Sequence, residues 1–74
     1  MPRICLVFAL SDPRAQTDLL REFELHDGVE AVADRVGDTP AIRVHTSDAM
    51  AMLWEVRATV GMFDEKAVEL DGQA

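Results

Sequence analysis

Apolar residues recur along this chain with two different periods, and the changes of period divide it into short segments. The first segment, RICLVFAL, is rich in β-branched and large apolar residues and is too short for a core helix. It predicts a first strand over Arg3–Leu10. In the next segment Ala15, Leu19 and Phe23 recur at four-residue spacing, which predicts a first helix with one apolar stripe.

The ends of this helix are marked by residues with known capping preferences. Asp12 is placed to cap the amino end, and Pro13 stands at the first helical position, where its missing N–H is not needed. Gly28 is suited to end the helix in the left-handed conformation. We therefore expect the helix to lie between Asp12 and Gly28.

After Gly28 the apolar residues alternate with polar ones, as in half-buried strands. VEAVADRV (Val29–Val36) and AIRVHT (Ala41–Thr46) predict two further strands. Between them Gly37-Asp38-Thr39-Pro40 consists of turn formers, so we expect a hairpin with a four-residue link. A phosphate-binding loop would need repeated glycines and a lysine, which this link lacks.

A second helix and a last strand complete the pattern. AMAMLWEVRATV predicts a helix from Ala49 to Gly61, with a capping side chain among residues 46–48. KAVELD, Lys66–Asp71, alternates again and predicts a fourth strand.

The order strand, helix, strand, strand, helix, strand favours a single α+β domain over residues 1–74. The ferredoxin-like βαββαβ architecture accommodates it as a four-stranded antiparallel sheet with both helices on one face and strands one and three at the centre. A chain this short buries only about 60% of the surface that it exposes when unfolded. Self-association would add stabilisation, because a single cysteine excludes an internal disulfide.

Strand one predicts a second buried surface. Every residue from Ile4 to Leu10 is apolar, and an unbroken apolar strand is typical of burial on both faces. Two helices cover only one face of such a sheet, so we expect a second copy of the protein to cover the other. The candidate dimer face consists of Cys5, Val7, Ala9, Arg43 and His45, with Glu69 of strand four added to its charged rim.

Two residues of the second helix fall outside its apolar stripe. The stripe consists of Ala49, Met52, Leu53, Val56 and Val60. One interpretation is that Trp54 packs at the edge of a wide buried stripe, near Phe63. The other is that Met50 and Trp54 form a contact patch for another chain, because Trp and Met are enriched in interfaces.

The chain is acidic, with 14 acidic and 7 basic residues and a formal net charge of −7. Nucleic-acid binding needs clustered cations, and the arginines here do not cluster, so we expect no direct contact with DNA or RNA. Solubility, adaptation to a salty cytoplasm, or imitation of a nucleic acid that attracts a basic protein would each explain the acidity. The candidate acidic surface consists of Glu22, Glu24, Asp27, Glu30, Asp34, Asp64, Glu65, Glu69 and Asp71.

Residues of the types that bind metals or catalyse reactions are scattered along the chain. Cys5, His26 and His45 lie on three different elements without metal-ligand spacing, which predicts neither a metal site nor a cofactor. His45, Ser47 and Asp48 include the residue types of a hydrolase triad, but they cross a strand-to-helix junction where neighbours point in different directions. We therefore expect no catalytic residues and no enzymatic activity.

The longest apolar run is Ile4–Leu10. It is far shorter than the roughly 20 residues that a membrane-spanning helix needs, and no segment resembles a signal peptide. This pattern predicts a cytoplasmic protein without a membrane partner.

The layout resembles the ligand-sensing domain of the Lrp/AsnC transcription regulators, which also occurs as short standalone proteins. GVEAVADRVGDTPAIRVHTSDAMAML is similar to that family's second and third strands, and VGMFDEKAVEL to its Gly-initiated last strand. The family usually continues Gly-Asp with an aromatic residue and another acid, whereas Thr39 and Pro40 follow here. The resemblance implies a ferredoxin-like fold and binding of an amino-acid effector at Gly37 and Asp38.

These patterns predict a non-catalytic regulatory or protein-interaction module that works as a homodimer or larger assembly. The alternative is an acidic inhibitor or nucleic-acid mimic, similar to phage-encoded anti-CRISPR proteins, which would bind a basic nucleic-acid-binding protein. Carboxylates at phosphate-like spacing along one face would favour the mimic, and an even scatter would count against it.

Overall fold

The computed structural model describes residues 3–70 and contains two helices and four strands in the order βαββαβ. The elements are β1 (Arg3–Ala9), α1 (Pro13–Phe23), β2 (Glu30–Val36), β3 (Thr39–Ser47), α2 (Met50–Phe63) and β4 (Val68–Leu70). The strands pair antiparallel in the order β2-β3-β1-β4. The predicted ferredoxin-like α+β fold is confirmed, with β1 and β3 at the centre of the sheet.

One apolar core lies between the sheet and the helices. Because side chains alternate along a strand, Leu6 and Phe8 point to the same side of β1, where both are buried. The same buried cluster contains Ile42 and Val44 of β3, Leu19 and Phe23 of α1, and Val56 and Val60 of α2. Both helices therefore cover the same face of the sheet.

The amino end of α1 is capped as its sequence predicts, but its carboxyl end differs. Asp12 has extended backbone and accepts a 2.8 Å hydrogen bond from the Arg14 amide, and Pro13 is the first helical residue. The helix ends at Phe23, whereas Gly28, with φ of +80°, lies several residues further on. The intervening residues form hydrogen-bonded turns, which no capping preference indicated.

The helix α2 begins and ends later than predicted, and no side chain caps it. Its first residue is Met50, and the capping position is Ala49, because β3 extends through Ser47. The helix continues through Gly61 to Phe63. Within residues 3–70, no helix has the length and apolar character needed to cross a membrane.

The β2–β3 hairpin is tighter than the predicted four-residue link. Val36 pairs with Thr39, so only Gly37 and Asp38 remain in the turn. Gly37 has φ of +63° at the first central position, where a type II′ turn needs glycine. Thr39 and Pro40 belong to β3.

Gly37→Ala should destabilise the protein by about 1–2 kcal/mol, because a side chain disfavours positive φ. No atom would obstruct the new Cβ, so the loss comes from the backbone alone. Gly61→Ala is the matched control, since Gly61 lies inside α2 with equal free space, and alanine there should stabilise by about 0.5–1 kcal/mol. Urea unfolding of both variants measures the difference, and equal changes would contradict the assigned turn.

Candidate interaction surfaces

The sheet face that the helices leave uncovered has an apolar half and a charged half. In the antiparallel register Cys5 lies opposite His45, and Val7 opposite Arg43, so the predicted dimer-face residues point to this side. The apolar half consists of Cys5, Val7 and Ala9 of β1 with Val68 and Leu70 of β4. Two further apolar side chains, Val32 and Val36 of the edge strand β2, lie among the charged residues. The charged and polar ones include Arg3, Glu30, Asp34, Arg43 and His45. We call this surface the sheet face.

The placement of Glu69 on the sheet face was wrong. Glu69 lies opposite Phe8, which points towards the helices, and its carboxylate accepts hydrogen bonds of 2.8 and 3.1 Å from the Arg57 guanidinium of α2. Its neighbours Val68 and Leu70 therefore take the sheet-face positions beside Ala9 and Val7. This half of the sheet face is more apolar than the sequence predicted.

Ion pairs organise the charged half of the sheet face. Arg43 donates hydrogen bonds of 2.8 and 3.2 Å to the Asp34 carboxylate, and Arg3 lies 3.4 Å from Glu30. The hydrogen bonds that Arg43 donates to Asp34 hold the pKa of Asp34 below its ordinary value, and they raise the pKa of Arg43. Both signs of charge therefore lie side by side on one surface.

The outward-facing side of α2 carries no charged residue. At about 100° per residue, six uncharged residues span roughly 120° of its circumference. Three are large and exposed: Met50 by 69%, Trp54 by 68% and Met62 by 82%. The other three are Ala51, Ala58 and Gly61. We call these six residues the outer face of α2; the interpretation that Trp54 is buried was wrong.

Ion pairs lie on both sides of the outer face of α2. On the α1 side, His26 Nδ1 lies 2.6 Å from a Glu55 oxygen and its Nε2 3.1 Å from a Glu22 oxygen. The hydrogen bond with Glu22 is the main cause of a raised His26 pKa, and Glu55 contributes to it. On the β4 side lies the Arg57–Glu69 pair.

Asp64 does not belong to the acidic surface, because it is only 7% exposed. Its carboxylate accepts hydrogen bonds from the Ser11 amide at 2.6 Å, the Ser11 hydroxyl at 2.7 Å and the Lys66 amide at 3.1 Å. Burial acts to raise the pKa of Asp64, but these hydrogen bonds outweigh it and the pKa is lowered. The residue joins the β1–α1 loop to the α2–β4 loop.

The remaining carboxylates of the predicted acidic surface are dispersed over several elements. Glu22, Glu30, Asp34 and Glu69 contact cationic side chains or His26. Glu24, Asp27 and Glu65 are exposed, and Asp71 lies outside the described residues. Within residues 3–70, these carboxylates therefore lie both on the helices and on the sheet, and cationic side chains of the same chain neutralise several of them.

Charge is nonetheless divided unequally between the two layers. The helices and their adjoining loops, residues 11–28 and 48–67, hold nine acidic and four basic residues, a net charge of −5 with histidine neutral. The strands and the hairpin turn, residues 3–10, 29–47 and 68–70, hold four acidic and three basic residues, a net charge of −1. The helix layer is therefore the strongly anionic side of the molecule.

An open groove lies beside the hairpin turn. It has a volume of about 610 Å³, and its lining includes Asp38, Pro13 and Gln16. The Gln16 amide donates hydrogen bonds to the carbonyls of Ala41 at 2.7 Å and Asp34 at 3.0 Å. Binding of an amino-acid effector at Gly37 and Asp38 stays a prediction from the family resemblance.

The cysteine and the two histidines, which are the remaining candidates for metal binding or catalysis, do not all lie together. Cys5 and His45 are neighbours on the sheet face, whereas His26 lies between the two helices. Within residues 3–70, no group of three or more His, Cys, Asp or Glu side chains is arranged to hold a metal ion.

Comparison of the chain with protein-family models, with curated proteins and with solved structures found no match.

Proposed function

We propose that this chain is a non-catalytic regulatory or protein-interaction module that works as a homodimer, with its two copies meeting through the sheet face. The observation that carries the proposal is the apolar half of that face, where β1 and β4 bring Val7 beside Leu70 and Ala9 beside Val68. Removing such surface from water contributes about 25 cal/mol per Å². A second copy would bury both apolar halves together.

The charges of the sheet face suit a second copy of the same chain. A two-fold interface must complement itself, so it needs either no charge or both signs in balance. Arg3 and Arg43 lie on the same surface as Glu30 and Asp34, and the whole sheet layer carries only −1. A two-fold axis near Val7 would stack the apolar halves of the two copies, with the Arg43–Asp34 pair directly beside them.

The titratable groups support a structural role rather than a catalytic one. The imidazole of His26 contacts Glu22 of α1 and Glu55 of α2. The Asp64 carboxylate joins two loops, and Asp34 is held by Arg43. Each of these groups has partners that explain its shifted pKa without a reaction.

The dimer can be tested through Cys5, the chain's only cysteine. Its thiol lies on the sheet face, so a second copy should shield it from a small neutral alkylating reagent. We expect the alkylation rate to fall as the protein is raised from low to high micromolar concentration, in parallel with a monomer-to-dimer shift in sedimentation velocity. A chain that stays monomeric at high micromolar concentration, with a constant alkylation rate, would contradict the proposal.

A further inference from the structure

We infer that the outer face of α2 binds a basic amphipathic helix of a partner protein. This surface lies on the helix layer, on the opposite side of the molecule from the sheet face. The inference therefore does not depend on the proposed dimer.

The shape and composition of the outer face of α2 favour a docked helix. Met50, Trp54 and Met62 project into solvent, and the small residues Ala51 and Ala58 leave space between them. Side chains of one helix pack into such spaces on another. A helix without a polar side is typical of burial on all sides, and the Met and Trp side chains adapt well to a partner's surface.

The charges around this surface indicate which partner fits. Glu55 lies along its α1 margin, where His26 connects it to Glu22 of α1. Arg57, paired with Glu69, lies along its β4 margin. The helix layer as a whole carries −5, so a partner with basic residues beside its apolar stripe is attracted. A second copy presenting the same layer would bring like charges together, which disfavours it.

Trp54 is the chain's only tryptophan and reports directly on occupation of this surface. The probe is a synthetic helix of about five turns, free of tryptophan, with leucines along one side and lysines elsewhere. Its matched control has glutamate in place of every lysine. We expect the lysine peptide to shift Trp54 emission to the blue in a saturable manner, with an affinity that falls as salt is added. The glutamate peptide should leave the emission unchanged.

Two variants separate docking on α2 from general attraction between opposite charges. Ala58→Glu and Thr17→Glu each add one negative charge at an exposed position of the helix layer, but only Ala58 belongs to the outer face of α2. Circular dichroism checks that both variants fold. We expect Ala58→Glu to weaken binding of the lysine peptide by roughly tenfold or more, and Thr17→Glu to leave it unchanged or slightly tighter.

Equal affinities of the two variants would overturn the inference, since the peptide would then respond to total charge alone. A second outcome would also overturn the inference. If Trp54 emission shifts to the blue with rising protein concentration in the absence of peptide, and does so in Val7→Glu as well, the outer face of α2 is occupied by a second copy. Failure of the proposed dimer is distinguishable, because a monomeric Val7→Glu protein should still bind the lysine peptide with the affinity of the unchanged chain.

Discussion

Val7→Glu should convert the homodimer into a folded monomer. Val7 lies on the sheet face in the middle of β1, between Arg43 of β3 and Leu70 of β4. In a monomer the new carboxylate can reach water, so the fold tolerates it. In the dimer it would be buried among apolar residues, and the Arg43 guanidinium is already bound to Asp34. A penalty of about 3 kcal/mol or more would weaken association by at least roughly a hundredfold.

Sedimentation velocity and circular dichroism on Val7→Glu and Thr17→Glu test this expectation. The two substitutions add the same charge, but Thr17 is exposed on α1, away from the sheet face. We expect Thr17→Glu to remain dimeric and Val7→Glu to sediment as a monomer with unchanged helix content. Identical association of the two variants would show that the sheet face does not join the copies.

Asp64→Asn should destabilise the protein by about 2–4 kcal/mol, because hydrogen bonds to a charged acceptor are worth more than neutral ones. The amide side chain has the same shape, but its NH₂ group would face a donor where the carboxylate now accepts from Ser11 and Lys66. Asp27→Asn is the matched control, since Asp27 is exposed beyond the end of α1. Urea unfolding near neutral pH should separate the two variants.

The contribution of Asp64 should also depend on pH. Its pKa in the folded protein is lowered from the ordinary value of 3.8, so the stabilisation is present above that value and is lost as the pH falls through the folded pKa. The difference in unfolding free energy between the unchanged chain and Asp64→Asn should therefore shrink in acid. A difference that stays constant down to low pH, or one equal to that of Asp27→Asn, would contradict this role.

The fold could be predicted because its signals are local and repeated. The change from helical to alternating period located β2, and Asp12 with Pro13 marked the start of α1, since a cap depends only on its own few residues. The order of the segments then limited the topology to few choices. The apolar residues on both sides of β1 were predictable for the same reason.

The features that could not be predicted from the sequence depend on strand register and on contacts between residues far apart in the chain. A one-residue difference in the register of β4 decides whether Glu69 or Val68 reaches the sheet face. Asp64 meets Ser11 across 53 positions of the chain, and neither residue belongs to a motif. The exposure of Trp54 was also undetermined, because an apolar side chain outside the predicted stripe of α2 can either pack at its edge or project into solvent.

The position of β1 in the sheet has a consequence for the order of assembly. Although it is the first strand along the chain, its partners are distant: Cys5 pairs with His45, and Ala9 with Val68. The β2–β3 hairpin closes over two residues and can form locally, whereas pairing of β1 requires the closure of much longer loops. In this order of assembly β1 joins the sheet after the hairpin has formed, and β4, which pairs with β1 alone, joins together with it or later. Substitutions in β1 then act mainly on the unfolding rate, and those in the hairpin turn on the folding rate.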